Sequence, residues 1–157
     1  MLHRILVAVD ASERQPGVFD AAADLAQKFG ASLYVVRVIT IPPEFPAAAA
    51  ASMADPLPAH LKRLAFADLT ELWKRAPTLA PTSPIVAIGQ PAKMILDTAL
   101  DFDVDLIVLG SHGYKGWDRV LGTTAAHVAN HADRNVLVVH ERLEATALIN
   151  RIPRGSA

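Results

Sequence analysis

Glycine and hydroxyl residues follow a purely apolar segment in the C-terminal third of the sequence. The segment is Leu106–Gly110, and glycines recur after it as far as Gly122, which Thr123 and Thr124 follow. Glycines allow a backbone to approach an anion closely, and free N–H groups at the start of a helix attract phosphate. The pattern therefore predicts a strand, a phosphate-binding loop, and a helix that begins at the two threonines.

A carboxylate ends a second apolar segment near the N-terminus. Residues 3–9 are rich in Ile, Leu and Val, and Asp10 follows them. In a doubly wound sheet, ligands bind at the carboxyl ends of the strands where the strand order reverses, so we expect Asp10 beside Gly110. A carboxylate there can accept hydrogen bonds from a ribose or a base, which predicts a nucleotide site. The alternative role of Asp10 is to cap the turn into the first helix.

Several residues in and after the glycine loop have two open roles. His112, Lys115 and Arg119 either contact phosphate or are solvated, and Trp117 either covers the site or packs on a partner. The histidines at positions 127 and 131 share one face of a helix, but the sequence offers no third ligand beside them. We therefore expect no metal centre and no catalytic residue in this region.

The elements that position these residues alternate between strands and helices. Strands are predicted at 3–9, 32–39, 85–88, 106–110 and 136–139, and helices at 16–29, 59–76, 91–102 and 123–131. Because each strand is followed by a crossover helix, the strands must be parallel. The prediction is a single doubly wound α/β domain over 1–140, with strand order 3-2-1-4-5 and helices on both faces, followed by a tail at 141–157.

Apolar residues at helical spacing define the faces that should pack on the sheet. These are Phe19, Ala22, Ala23, Ala26 and Phe29 in the first helix, Leu61, Ala65, Leu69 and Leu72 in the second, with Phe66 and Trp73 beside this stripe, and Ala92, Ile95, Leu96, Ala99 and Phe102 in the third. The proline- and alanine-rich segment 40–58 interrupts this alternation. It is long for a connection, so it is either mobile or a lid over the site.

The composition of the chain argues against nucleic acid and membranes as binding partners. The net charge of −1 gives no electrostatic case for nucleic acid, and no apolar run approaches the length of a membrane span. The absence of cysteine fits a reducing cytoplasm. The sequence also lacks a Walker lysine motif, a GxSxG nucleophile elbow and a paired carboxylate. We therefore expect a cytoplasmic binding protein and, at most, slow hydrolysis.

Taken together, these segments resemble the universal stress protein family. The resemblance is carried by ILVAVDAS, LYVVRVI, GQPAKMIL and DLIVLGSHG…GTT…NVLVV, and it covers nearly all of residues 3–140. The nucleotide-binding pattern of that family is G-x2-G-x9-G-[ST], which Gly110, Gly113 and Thr123 match. Eight residues, 114–121, separate Gly113 from Gly122, so the loop is one residue shorter than the pattern.

The resemblance implies a set of contacts to an adenine nucleotide. Asp10 and the backbone of Ala8 and Val9 would hold ribose and adenine, and the backbone of Val38 would meet the adenine. Leu109 and Gly110 would lie near the ribose. The phosphates would be surrounded by the end of the fourth strand and the loop after it, namely Ser111, His112, Gly113, Gly122, Thr123 and Thr124.

Three functions follow from these interpretations. The first is a stress-response regulator that binds ATP, ADP or AMP, with Mg²⁺ as the accompanying ion. The second is a nucleotide-independent interaction protein, in which the shortened loop is closed. The third is an ATP-splitting enzyme of a related α/β group, for which DASERQPG after the first strand is a poor phosphate loop. The apolar fifth strand, Val136–Val139, should be a sheet edge that pairs in a homodimer, as the resemblance also implies.

Overall fold

Strands and helices alternate along the part of the chain that the structure describes. The structure is a computed structural model that describes residues 1–41, 57–111 and 122–140. The elements are β1 (Arg4–Ala8), α1 (Gln15–Phe29), β2 (Ser32–Ile39), α2 (Leu57–Leu72), a 3₁₀ turn (Trp73–Arg75), β3 (Ile85–Ile88), α3 (Pro91–Asp101), β4 (Leu106–Gly110), α4 (Thr123–His131) and β5 (Asn135–Val139).

The strands form one parallel sheet in the order β3-β2-β1-β4-β5. The predicted topology is confirmed, and it places β1 between β2 and β4. In this register, Ala8 at the end of β1 lies opposite both Val36 and Leu109. The chain therefore reverses its winding direction between β1 and β4, and the carboxyl ends of these two strands lie side by side.

Alternate residues of the central strands supply two separate hydrophobic cores. On one face, Ile5 and Val7 pack with α1 and α2, and on the other face Leu6 packs with α3 and α4. All three side chains are fully buried. This burial on both faces is why β1 has a continuous apolar sequence rather than an alternating one.

The ends of α1 follow from its sequence. Pro16 lies in the first turn, where its missing N–H removes no helical hydrogen bond. Gly30 ends the helix in the left-handed conformation, with φ of 64°. Because glycine has no Cβ, it adopts this conformation at little cost, and the chain turns directly into β2.

Three aromatic residues on or beside the predicted core-facing stripes are partly exposed. Phe29 is 53% exposed and Phe66 is 48% exposed, whereas Trp73 is buried and meets Phe19 edge to face at 5.6 Å. Phe66 is one position from the buried Ala65, and a rotation of about 100° per residue carries it off the core-facing stripe. Phe29 is the last residue of α1, where no further turn covers it.

Phe102 is the third of these aromatic residues. It follows the last residue of α3 and is 37% exposed. Its ring packs against Tyr34 with centroids 4.9 Å apart, so it covers the edge of the core from outside.

Some predicted boundaries differ from the observed ones. The helix predicted at 59–76 begins two residues earlier, at Leu57, and its α-helical part ends at Leu72 before the 3₁₀ turn. The lid-or-mobile segment lies outside the described residues except for its ends. The tail at 141–157 and most of the glycine loop also lie outside them.

Candidate functional site

A cavity of about 440 Å³ opens at the carboxyl ends of β1 and β4. This volume is in the range of pockets that hold small ligands. The cavity also reaches the start of α1, the start of α4 and the side of α3. Its place at the reversal of strand order is the place where open α/β sheets bind ligands.

Asp10 forms a polar corner of the cavity. Its Oδ1 accepts hydrogen bonds from the Ser12 backbone N–H at 2.9 Å and from the Ser12 hydroxyl at 2.5 Å. Asp10 therefore stabilises the turn that leads into α1, whose N-cap is Arg14. Asp10 also lines the cavity.

Arg14 brings a positive charge to the cavity. It precedes α1, is half-buried, and its Nη1 donates to the carbonyl oxygen of Ser111 over 3.5 Å. Arg14 is not among the predicted site residues, because only the cations of the glycine loop were considered as phosphate contacts. The rule that ligands sit where β1 and β4 end would have pointed to the loop after β1 as well. The alternative cations, Lys115 and Arg119, lie outside the described residues.

Two helices begin at the cavity. Thr123 and Thr124, the first residues of α4, line it, and so do Gln15 and Gly17 from the first turn of α1. Neither helix has a side-chain hydrogen bond at its N-cap. The partial positive charge of both helix starts therefore adds to that of Arg14, and this side of the cavity favours an anion.

Another part of the cavity lining is apolar. Val36 and Val38 from β2, Ile95 and Pro91 from α3, and Leu109 from β4 line it. Such a surface suits a flat, weakly polar ring, which would bury against aliphatic side chains. The cavity thus joins an apolar surface, a carboxylate and an anion-attracting surface.

Most of the predicted site residues meet at this cavity. Ala8, Val9, Asp10, Val38, Leu109, Gly110, Ser111, Thr123 and Thr124 line it. Gly122 is not among the lining residues; it is the N-cap of α4, and its carbonyl accepts the Ala126 N–H at 2.8 Å. His112 and Gly113 lie outside the described residues. Lining residues that were not predicted include Ser12, Gln15 and His140.

The groups with perturbed pKa values belong to structural contacts elsewhere. The pKa of Asp105 is lowered by hydrogen bonds from the backbone N–H groups of His3 and Arg4, at 2.7 and 2.8 Å. The pKa of Asp133 is lowered by its hydrogen bonds with Arg134. Asp105 precedes β4 and contacts the start of β1, so it closes the end of the sheet opposite the cavity.

The described residues contain neither a group of metal ligands nor a membrane-spanning helix. Over residues 1–41, 57–111 and 122–140, no three His, Cys, Asp or Glu side chains come close enough to hold a metal ion. The rings of His127 and His131 stack at 4.1 Å on the exposed side of α4. Within the same residues, every helix is too short or too polar to cross a bilayer.

The family of this chain follows from its match to a sequence model of a known protein family. The model of the universal stress protein family matches residues 1–140. The chain belongs to the universal stress protein family. Among curated relatives, universal stress protein A homolog 1 of Coxiella burnetii is 32% identical over 139 residues, which is 86% of this chain and 94% of the relative. Universal stress protein Sll1388 of Synechocystis is 32% identical over 152 residues, or 87% of this chain and 96% of the relative.

Solved structures of universal stress proteins share the fold. The protein UspA from Lactobacillus plantarum is 28% identical with a TM-score of 0.70, covering 88% of this chain and 97% of its own. A universal stress protein solved in complex with cAMP is 21% identical with a TM-score of 0.66, at the same coverage of 88% and 97%. This last likeness establishes a common fold only.

Proposed function

We propose that this universal stress protein binds an adenine nucleotide at the cavity between β1 and β4 and acts as a stress-response regulator. The observation that carries the proposal is the composition of the cavity. Asp10, Arg14 and an apolar surface around Val38 line one space of about 440 Å³. A nucleotide requires these three environments in one place, for its ribose, its phosphates and its base.

The arrangement suggests how the parts of the nucleotide would lie. Adenine would pack on Val38 and Ile95, where its ring buries apolar surface. The ribose hydroxyls would donate to the carboxylate of Asp10. The phosphates would lie between Arg14 and the start of α4, where Thr123 and Thr124 offer hydroxyl and backbone donors. We propose ATP as the ligand, or its products ADP and AMP, with Mg²⁺ on the phosphates of ATP.

The fold and the ligand class are consistent with each other. The structure in complex with cAMP demonstrates that a protein of this fold, 21% identical to this chain, accommodates an adenine nucleotide. We propose binding with slow turnover at most, because the proposed arrangement directs the Asp10 carboxylate to the ribose and not to the phosphates, where a general base would be needed. The cysteine-free composition supports a cytoplasmic location.

Calorimetric titration of the purified protein with ATP and Mg²⁺, ADP and AMP tests the proposal. We expect binding of at least one of them, and a loss of about tenfold in affinity for Asp10→Asn, since hydrogen bonds to a charged acceptor are the stronger class. Asp24→Asn removes a carboxylate on the exposed side of α1 and serves as the control. Absence of binding in the wild type at millimolar nucleotide, with no nucleotide retained on purification, would overturn the proposal.

A specific observation also favours a homodimer through β5. This strand pairs with β4 on one side and lies at the edge of the sheet, and its Leu137 is 37% exposed. An apolar edge strand is a natural site for pairing with a second copy. The dimer is compatible with nucleotide binding, and it also serves the second candidate function, a nucleotide-independent interaction protein.

A further inference from the structure

Arg37 is a buried cation that belongs neither to the cavity lining nor to either hydrophobic core. It lies on β2, and its side chain is 8% exposed. Its Nη1 donates to Oδ2 of Asp68 on α2 at 2.6 Å, and its Nη2 donates to the backbone carbonyl oxygen of Asp10 at 3.1 Å. One guanidinium therefore joins β2, α2 and the segment that follows β1.

The burial of Arg37 on β2 costs folding free energy. Its neighbours on the same face of the strand, Leu33 and Val35, pack in the core with α1 and α2. Burying a charge costs free energy unless it is paired, and the Nε of Arg37 has no hydrogen-bond partner. An aliphatic side chain would avoid this cost, so stability alone gives no reason for an arginine here.

The contact with Asp10 supplies such a reason. The last hydrogen bond of the β1–β2 ladder runs from the Val9 N–H to the Val36 carbonyl at 3.0 Å. Asp10 lies beyond it, where the strand no longer holds the backbone. The Arg37 guanidinium binds the carbonyl of Asp10 at this point, while Ser12 binds its carboxylate.

We propose that Arg37 is a positioning residue for the nucleotide site, an inference that rests on the function proposed above. Arg37 fixes the backbone of Asp10 and thereby the direction of its carboxylate, and Asp68 holds the guanidinium in place. A planar guanidinium suits this role because it reaches two acceptors at a fixed angle. Arg37 contacts no ligand itself, so its effect reaches the ribose only through Asp10.

The ratio of two dissociation constants isolates this effect. ATP carries both ribose hydroxyls and 2′,3′-dideoxy-ATP carries neither, so the ratio of their dissociation constants measures ribose recognition. We expect the wild type to prefer ATP by about tenfold or more. Arg37→Met should bring the ratio close to one, while the affinity for dideoxy-ATP stays within about twofold of the wild type. If Arg37 had a purely structural role, Arg37→Met would instead lower the affinities for ATP and for dideoxy-ATP by the same factor.

Two further variants keep the test decisive if Arg37→Met fails to fold. Arg37→Lys keeps the charge but cannot span both acceptors, and Asp68→Asn removes the ion pair at a half-exposed position. Both should lower the ratio. The matched control is Arg75→Met, which removes a second arginine–aspartate pair, with Asp20, outside the cavity. Its ratio should equal that of the wild type.

The outcomes separate this inference from the proposed function. If the wild type binds neither ATP nor dideoxy-ATP, the nucleotide site is wrong and the role of Arg37 is wrong with it. If the wild type prefers ATP and every folded variant at Arg37 and Asp68 keeps the same ratio, nucleotide binding stands and the positioning role is overturned.

Discussion

A Cβ atom on Gly110 would lie 3.0 Å from Cγ2 of Val18. The glycine at the end of β4 therefore leaves space for the side chain of Val18 as α1 packs on the sheet. The sequence motif assigns this glycine to the ligand. The structure adds a packing role, because the buried side chain of Val18 lies directly against this position.

We expect Gly110→Ala to destabilise the fold by about 1–3 kcal/mol, as overpacking of a core does. The measurement is urea denaturation of the wild type and the variant. Gly17→Ala is the control, since a Cβ there meets nothing within 4 Å. Val18→Ala should make room for the new methyl group, so the double variant Val18→Ala/Gly110→Ala should lose less stability than the sum of the single variants. Strict additivity would contradict the contact.

Arg14 provides a test of where the phosphates lie. If Arg14 faces the phosphates, Arg14→Gln should lower the affinity for ATP by about tenfold and leave the affinity for adenosine nearly unchanged. The reason is that only ATP carries the negative charge that Arg14 attracts. The effect should shrink as salt is added. Titrations of both ligands at two ionic strengths check this. Lys74→Gln removes an exposed charge outside the cavity lining and should change neither affinity. Equal losses for ATP and adenosine would place the phosphates elsewhere.

The lowered pKa of Asp105 predicts that the free energy of unfolding depends on pH. Its pKa is held below the ordinary value of about 3.9 by the backbone N–H groups of His3 and Arg4. A carboxylate with a lowered pKa in the folded state stabilises the fold above its unfolded-state pKa. This contribution is lost as pH falls through the lower folded-state value.

Asp105→Asn should therefore be less stable than the wild type at pH 7, and the difference should shrink below about pH 4. Denaturation curves at pH 7 and pH 3 measure it. Asp24→Asn, an exposed substitution on α1, should be close to the wild type at both values. A stability difference that stays constant across this range would exclude a role for the charge of Asp105.

The exposed edge of β5 predicts the oligomeric state. We expect the wild type to be a dimer by light scattering, and Leu137→Lys to be a monomer, since a buried lysine at a strand–strand interface is unfavourable. Leu100→Lys changes a leucine on α3 that is more exposed, at 56%, and should leave the dimer intact. A dimer that survives Leu137→Lys would move the interface away from this edge.

The sequence by itself determined the order and type of the elements and the topology of the sheet. Continuous apolar strands such as Leu106–Gly110 and helical stops such as Gly30 are local signals, because they follow from the chemistry of neighbouring residues. The rule for doubly wound sheets then placed Asp10 and Gly110 at one edge. This rule is why the residues at the ends of these two strands could be predicted to form one ligand site.

Only the tertiary structure decided which further side chains line the cavity and which stay outside the core. Arg14 reaches the cavity because α1 begins there, and Arg37 holds Asp10 from a neighbouring strand. Packing also decided how far the neighbouring elements cover Phe66, which lies beside the core-facing stripe of α2. These contacts join residues far apart in the chain, so no local pattern records them.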